Sequence, residues 1–175
     1  MGLTRGLSPC ELRWFGNNRN GVYTADEWTS RDDIGKYFDG KLFTLEEYLN
    51  IEKHYINVVH SIMKATNSKY LSIQYLEADK EYIINKIKCS KFYSIDSELL
   101  QSIQLLEENR RVYITRITDL VRLSLREYIY VVLSNKEHKI QIKFGYDYYL
   151  NIACSLNYET LNYIVRNEGL YLDPR

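Results

Sequence analysis

Three segments near the end of the chain, in which apolar and polar residues alternate, constrain the fold most. They are REYIYVVL (126–133), KIQIKF (139–144) and YYLNIACSL (148–156), and the turn-forming residues SNKEH and GYD separate them. Alternation with a period of two is typical of β-strands. Connections this short join antiparallel neighbours, because parallel strands need a long crossover. The sequence therefore predicts an antiparallel meander of three strands.

Helix signals lie on both sides of this meander. Thr44 and Glu47 form a capping-box pattern in front of an apolar stripe, which predicts a helix over Leu45–Ala65. Asn157 is placed to cap a second helix over Tyr158–Asn167, and Gly169 stands where a helix-ending glycine belongs. The remaining predictions are a helix from Asp96 to about Asn109, and strands at CELRWF (10–15), KYLSIQYLE (69–77), RVYITRIT (111–118) and LYLD (170–173). In residues 80–93 and 119–128, the spacing of apolar residues fits both the helical and the strand period, so either structure is possible there.

These elements predict one α+β domain over residues 1–175, with a mainly antiparallel sheet and two or three packed helices. The length of 175 residues is enough to bury a continuous core without disulfides or metals. Three widely spaced cysteines give neither a disulfide framework nor a zinc pattern. The chain shows no signal-peptide pattern and no apolar run long enough to span a bilayer, so we expect a cytoplasmic protein without a membrane anchor.

Catalytic and cofactor signatures are missing from the sequence. There is no glycine-rich phosphate loop, no HExxH and no GxSxG, so we expect no catalytic residues, no bound metal and no cofactor. His54 and His60 lie on one predicted helix but about 240° apart around its axis. His60 and Lys64 are four residues apart and form the one thin candidate for an acid–base pair.

The balance of 23 basic and 23 acidic residues hides two oppositely charged regions. Residues 26–47 hold seven acids and three bases, with aromatic residues interleaved. A solvated loop is the plain interpretation, and a docking surface for a basic protein is the sharper one. The candidate partner-binding residues in this segment are Asp26, Glu27, Trp28, Asp32, Asp33, Tyr37 and Asp39.

The second charged region is a stretch of arginines. Residues 110–126 hold Arg110, Arg111, Arg116, Arg122 and Arg126 against the single acid Asp119. One interpretation is a surface that follows a phosphate backbone. The other is the outer, solvated face of a sheet, since the arginines alternate with apolar residues.

Tyrosine is unusually frequent, with seventeen in the chain. In YYLNIACSL, the alternation places Tyr148, Leu150, Ile152 and Cys154 on the core face and Tyr149 on the more polar face. Tyr146 lies at the preceding turn. Tyr146 and Tyr149 are therefore secondary candidates for a contact surface, because tyrosine is enriched at interfaces. Cross-strand packing within the sheet is the alternative role.

The terminal block, LREYIYVVL…KIQIKFGYDYYLNIACSL…LNYIVRNEGLYLDPR, resembles the ending of small bacterial immunity proteins. The comparison is with immunity proteins of contact-dependent growth inhibition and related polymorphic-toxin systems, in which a strand hairpin leads into a short helix and a closing strand. The resemblance implies a non-enzymatic cytosolic protein that binds and blocks one toxin domain, commonly a nuclease with a basic substrate groove. It transfers no functional residue by motif.

The expectation is thus an immunity protein that neutralises a cognate toxin through protein–protein contact. A nuclease presents positive charge to its nucleic acid, so an inhibitor gains from presenting negative charge to the nuclease. Three alternatives stay open: a nucleic-acid-binding module that uses the arginine stretch, a phage or mobile-element inhibitor of a host protein, and a small enzyme built on His60 and Lys64.

Overall fold

The computed structural model describes residues 10–14, 18–19, 22–23, 30–145 and 148–173. Its strands are, in chain order, β1 (Cys10–Trp14), β2 (Asn18–Arg19), β3 (Val22–Tyr23), β4 (Tyr37–Phe38), β5 (Lys41–Leu42), β6 (Tyr70–Glu77), β7 (Arg111–Tyr113), β8 (Tyr130–Asn135), β9 (Ile140–Phe144), β10 (Leu150–Ala153) and β11 (Leu170–Asp173). The α-helices are α1 (Leu45–Ala65), α2 (Lys80–Lys88), α3 (Tyr93–Asp96), α4 (Ile117–Leu125) and α5 (Tyr158–Asn167). Two 3-10 helices span Arg31–Asp33 and Ser97–Leu105.

Seven of the strands form one sheet, in the order β11-β1-β10-β9-β8-β6-β7, and every neighbouring pair is antiparallel. β8, β9 and β10 are the predicted meander, and they occupy the middle of the sheet. The closing strand β11 returns beside β1 near the start of the chain. The fold is therefore α+β with an antiparallel sheet, which confirms the predicted class.

The core lies between the helices and one face of this sheet. Alternate residues of the strands, such as Leu71, Leu133 and Ile142, are buried in one hydrophobic cluster with the apolar stripe of α1. As predicted, Tyr148, Leu150, Ile152 and Cys154 all lie in the core. Within the described residues, no helix is long and apolar enough to cross a membrane.

The local signals at helix ends act mostly as predicted. Thr44 accepts a hydrogen bond from the amide of Glu47 at 3.2 Å, and α1 has the predicted bounds. The return half of the capping box is not made, and the carboxylate of Glu47 accepts a hydrogen bond from Lys41. Asn157 caps α5, and Gly169 follows the helix with φ +67°, a conformation that favours glycine.

Three element predictions need correction. The strand predicted over 111–118 ends at Tyr113, and α4 begins at Ile117. The helix predicted from Asp96 is instead a 3-10 helix over Ser97–Leu105, and the Asp96 side chain does not cap it. A bulge between Ile73 and Tyr75 shifts the register of β6, so that Tyr75 is exposed rather than sharing the buried face of Ile73.

Candidate partner-binding surface

The acidic turn, which we define as residues 30–43, carries the predicted acidic residues that the structure describes. Its first part is the 3-10 helix, closed by a capping box. Ser30 Oγ accepts from the amide of Asp32 at 3.2 Å, and the carboxylate of Asp33 accepts from the amide of Ser30 at 3.2 Å. The second part is a tight hairpin of β4 and β5, in which Tyr37 pairs with Leu42.

Left-handed backbone conformations make this hairpin possible. Asp39 and Gly40 form its tip with φ of 47° and 75°, and Gly35 stands before β4 with φ of 95°. Aspartate and glycine tolerate this region better than most residues. Backbone hydrogen bonds of 2.9 Å, from Gly35 to Phe43 and from Phe43 to Lys36, then close the base of the turn. The acidic turn is thus a defined structure and not an irregular loop.

Arg31 fixes the acidic turn to the core. Although it belongs to a surface segment, only 8% of Arg31 is exposed. Its Nη1 donates to both carboxylate oxygens of Asp96 at 2.9 and 2.8 Å, and its Nη2 donates to the Tyr128 hydroxyl at 3.0 Å. The guanidinium also lies over the rings of Phe92 and Tyr128, at 4.8 and 5.0 Å from their centroids. Planar stacking together with several charge-assisted hydrogen bonds suits arginine in particular.

A second buried arginine completes this charged network. Arg126 donates to the two carboxylate oxygens of Glu52, at 2.7 Å each, and to Asp96 at 2.8 Å. Its Nη1 also donates to the carbonyl of Ile95 at 3.0 Å. We call Arg31, Glu52, Asp96, Arg126 and Tyr128 the buried ion network. Two positive and two negative charges balance within it, as buried charges require.

The protonation of the network follows from these contacts. Burial opposes the charged form of each guanidinium, but hydrogen bonds and opposite charges outweigh it, so the pKa values of Arg31 and Arg126 lie above their ordinary value. For Tyr128, burial and the hydrogen bond to Asp96 raise the pKa of the hydroxyl. Both arginines stay charged and Tyr128 stays neutral over the physiological range.

The inward position of Arg31 changes the charge that the acidic turn presents. The one arginine of the turn is neutralised inside the protein by Asp96. Lys36 pairs with Asp33 at 2.7 Å, and Lys41 pairs with Glu47 at 2.7 Å. Asp32 and Asp39 are exposed, and within the part of the chain that the structure describes neither carboxylate forms an ion pair. The outer surface of the turn is therefore negative.

The same turn also exposes apolar side chains. Tyr37 is 71% exposed, and its cross-strand partner Leu42 is 41% exposed. The neighbouring Phe38 points the other way and packs edge-on against buried Phe43, with 6.3 Å between the ring centroids. The turn thus presents a phenol and a leucine together with exposed carboxylates, on a base that is packed into the core.

The structure brings together only some of the predicted contact residues. Asp32, Tyr37 and Asp39 are exposed on the acidic turn, whereas the carboxylate of Asp33 is committed to the capping box and to Lys36. The predictions for Asp26, Glu27, Trp28 and Tyr146 lie outside the described residues. Tyr149 is half-buried and belongs to the β9–β10 connection, where its carbonyl accepts from Gly145 at 2.8 Å.

Several tyrosines serve the core and not a surface. The ring of Tyr148 packs edge-on against Tyr48 and Tyr55, at 5.7 and 5.6 Å between centroids, and Tyr55 Oη donates to the carbonyl of Tyr148 at 2.7 Å. Burial raises the pKa of the Tyr148 phenol well above its ordinary value. Edge-to-face pairs of this kind stabilise a core beyond their buried area.

The arginine stretch does not form one continuous surface. Arg126 is buried at 3% exposure, and Arg122 pairs with Glu98 at 2.6 Å and with Glu52 at 3.5 Å. The interpretation that all five arginines follow a phosphate backbone is therefore wrong for these two. Arg110, Arg111 and Arg116 remain exposed around β7.

The structure gives no support for an acid–base pair formed by His60 and Lys64. His60 is half-buried, and its Nε2 lies 3.0 Å from Thr118 Oγ1 between α1 and α4. Burial and the charge of Lys64 lower the pKa of His60. Neither side chain lines the cavity of about 430 Å³ beside β7 or the one of about 200 Å³ beside Tyr128. Across the described ranges, no group of three or more metal-ligating side chains converges.

The buried ion network is the feature that sequence reasoning missed, although α1 contains one signal of it. Glu52 lies on the apolar stripe, four residues after Tyr48 and three before Tyr55, where a charge needs a buried partner. Comparison of the chain with protein-family models, with curated proteins and with solved structures gives no match.

Proposed function

We propose that this protein is an immunity protein, which binds and neutralises a cognate bacterial toxin domain in the cytoplasm without performing chemistry itself. The observation that supports this most is the geometry of the acidic turn. Tyr37, which is 71% exposed, and the exposed carboxylates of Asp32 and Asp39 belong to the same turn, while the arginine of this turn is held inside the protein by Asp96.

A preformed surface lowers the entropy lost on binding. Here the capping box, the hairpin and the Arg31–Asp96 ion pair each restrict the turn before any partner arrives. An exposed aromatic residue within a charged rim is the usual composition of an energetic centre at a protein interface. The turn therefore suits recognition of a folded partner.

The charge of the turn indicates the chemistry of that partner. Exposed carboxylates accelerate association with a positively charged surface, and a nuclease must carry such a surface to hold its nucleic acid. We accordingly propose a basic nuclease domain as the target. The resemblance of the terminal block to immunity proteins points to the same class of partner.

The decisive experiment removes the exposed negative charges with substitutions that the backbone tolerates. Asp39 is changed to asparagine, which accepts the left-handed conformation with φ of 47° at the tip of the hairpin. We expect the double variant D32K/D39N to bind the toxin domain encoded by the neighbouring gene about 10–100-fold more weakly, chiefly through a slower association rate. The variant should also fail to protect cells that express this toxin. Asp33 is left unchanged, because its carboxylate stabilises the turn itself.

The matched control is E107K/E137Q, which makes the same change in net charge at two exposed glutamates in other loops. It should bind and protect like the wild type. Equal weakening by both variants would mean that the effect comes from net charge alone, and unchanged binding by D32K/D39N would remove the acidic turn from the interface. A neighbouring gene that encodes no toxin, with no protection against any co-purified toxin, would contradict the proposed class.

A further inference from the structure

A polar cavity of about 430 Å³ lies beside the edge strand β7, away from the acidic turn in sequence. Its walls come from β6, β7, the end of β8 and the turn that follows β8. The lining residues used below are Tyr70, Ser72, Arg111, Ser134, Lys136 and Glu137. A volume of this size falls in the range of about 300–1,000 Å³ that small-ligand sites occupy.

Two positively charged side chains line the cavity, those of Arg111 and Lys136. In the part of the chain that the structure describes, neither has a carboxylate partner. Arg111 is exposed, and its guanidinium lies over the ring of Tyr70 at 4.6 Å from the centroid. This stacking orients the planar guanidinium while its N–H groups stay available. Lys136 is also exposed, at the start of the β8–β9 turn. The single carboxylate of the lining is Glu137, so the cavity carries an excess of positive charge.

Two serine hydroxyls, which are neutral hydrogen-bond donors, also line the cavity. Ser72 and Ser134 are directly opposite each other in the pairing of β6 with β8, so their side chains lie on the same face of the sheet. Within the described residues, neither hydroxyl forms a hydrogen bond, although Ser134 is buried. Two hydroxyls beside an arginine and a lysine are the donor set that proteins use for phosphate oxygens.

The wall behind these donors is rigid. Asn135 Nδ2 donates to Ser68 Oγ at 2.9 Å and to the carbonyl of Tyr70 at 3.0 Å, and Asn135 Oδ1 accepts from the amide of His138 at 3.2 Å. These bonds fix the end of β8 against β6 and hold the following turn. The donors are thus preorganised, as a specific site requires.

We propose that this cavity binds a small phosphate-bearing ligand, with Arg111, Lys136 and the hydroxyls of Ser72 and Ser134 as donors to the phosphate. The proposal goes beyond toxin neutralisation and depends on none of the acidic-turn residues. The ring of Tyr70 already packs against the guanidinium of Arg111 at 4.6 Å and against Tyr113 at 6.1 Å between ring centroids. The phosphate group, and not a stacked base, is therefore what the cavity recognises.

The test measures binding of adenosine 5′-monophosphate and of inorganic phosphate by titration calorimetry, with amide chemical shifts to locate the site. We expect both probes to bind the wild type and to shift the amides of Ser72 and Ser134. The variant R111M/K136M should bind at least about tenfold more weakly, because hydrogen bonds to charged groups are the strong ones. The control R116M/K64M removes two exposed cations outside the cavity lining and should bind like the wild type.

Substitution of Glu137, the carboxylate in the cavity lining, tests whether the ligand is negatively charged. The variant E137Q should bind adenosine 5′-monophosphate about two- to fivefold more tightly, because it removes a partly screened repulsion. Weaker binding in E137Q, equal binding by R111M/K136M and the wild type, or no binding of either probe would each overturn the proposal. Binding of a single-stranded octanucleotide without binding of the mononucleotide would overturn it in favour of a nucleic-acid backbone. Thermal melting of every variant verifies that the fold is retained.

Discussion

Arg31 and Asp96 are 65 positions apart in the sequence, yet they meet in the core through two hydrogen bonds of 2.9 and 2.8 Å. Asp96 is fully buried and also accepts from Arg126 and Tyr128. This one carboxylate therefore contacts both buried guanidinium groups, while Glu52 supplies the second negative charge of the network. Because Arg31 belongs to the acidic turn, the stability of the core and the shape of the proposed binding surface depend on the same residue.

Substitution of Asp96 by asparagine should destabilise the protein by about 3–5 kcal/mol, since removal of one partner leaves uncompensated charge in the interior. Chemical denaturation measures this difference in unfolding free energy. The control E98Q removes the exposed carboxylate that pairs with Arg122 at 2.6 Å, and should cost less than about 1 kcal/mol. Similar losses in D96N and E98Q would mean that the buried network contributes no more than a surface pair.

The variant R31M should be less damaging than D96N, with a loss of about 2 kcal/mol. Asp96 then keeps its contacts with Arg126 and Tyr128, so its carboxylate still has one buried cationic partner. The main effect should be local: amide hydrogen exchange at Gly35 and Phe43, which close the base of the acidic turn, should become faster. Exchange that accelerates equally throughout the protein would show that Arg31 stabilises the whole fold rather than the turn.

The sequence predicts the elements whose signals are local. The bounds of α1 and α5 follow from Thr44, Asn157 and the apolar stripes, and Gly169 ends α5 as expected. The central meander follows from its alternation and its short turns. In each case, residues within a few positions determine the conformation.

The incorrect predictions have a common cause, which is contact between segments that are distant in the sequence. By sequence, Asp96 is a good helix cap, but it contributes more to stability by pairing with two buried arginines from distant segments. Arg126 looks like part of an exposed basic stretch, although Glu52, 74 positions away, draws it into the core. At the candidate site, the sequence locates the acidic segment, and the structure shows that its candidate residue Tyr37 is exposed. It does not reveal that Arg31 turns inward, because that depends on tertiary contacts.

Acidification should destabilise the protein through His60. In the folded state burial and Lys64 lower the pKa of His60, so the folded protein binds fewer protons than the unfolded chain, whose histidine has a pKa of about 6.5. The stability from neutral His60 is complete above about pH 6.5 and is lost as the pH falls through the lowered value. Denaturation between pH 7.5 and 5 should show a smaller slope in H60Q than in the wild type.

Buried phenols should ionise only when the protein unfolds. The pKa values of Tyr48, Tyr128 and Tyr148 are raised in the folded state, mainly by burial. Because unfolded tyrosine ionises near pH 10, stability from these residues is present below about pH 10 and is lost as the pH rises above it. In an alkaline titration, part of the phenolate absorbance should appear together with the loss of circular dichroism. The variant Y148F should reduce this late part, whereas complete ionisation before unfolding would contradict the assigned burial.

Tyr37 should contribute more to toxin binding than any other exposed tyrosine of the described chain, because it alone projects from the acidic turn at 71% exposure. Truncation to alanine removes the aromatic centre of the proposed interface, and the variant Y37A should bind the toxin domain about tenfold more weakly, mainly through faster dissociation. The control Y82A truncates a tyrosine of similar exposure, 62%, on α2 and should leave binding unchanged. Surface plasmon resonance separates the two rate constants. If Y82A weakened binding and Y37A did not, the contact surface would have to include α2 instead of the acidic turn.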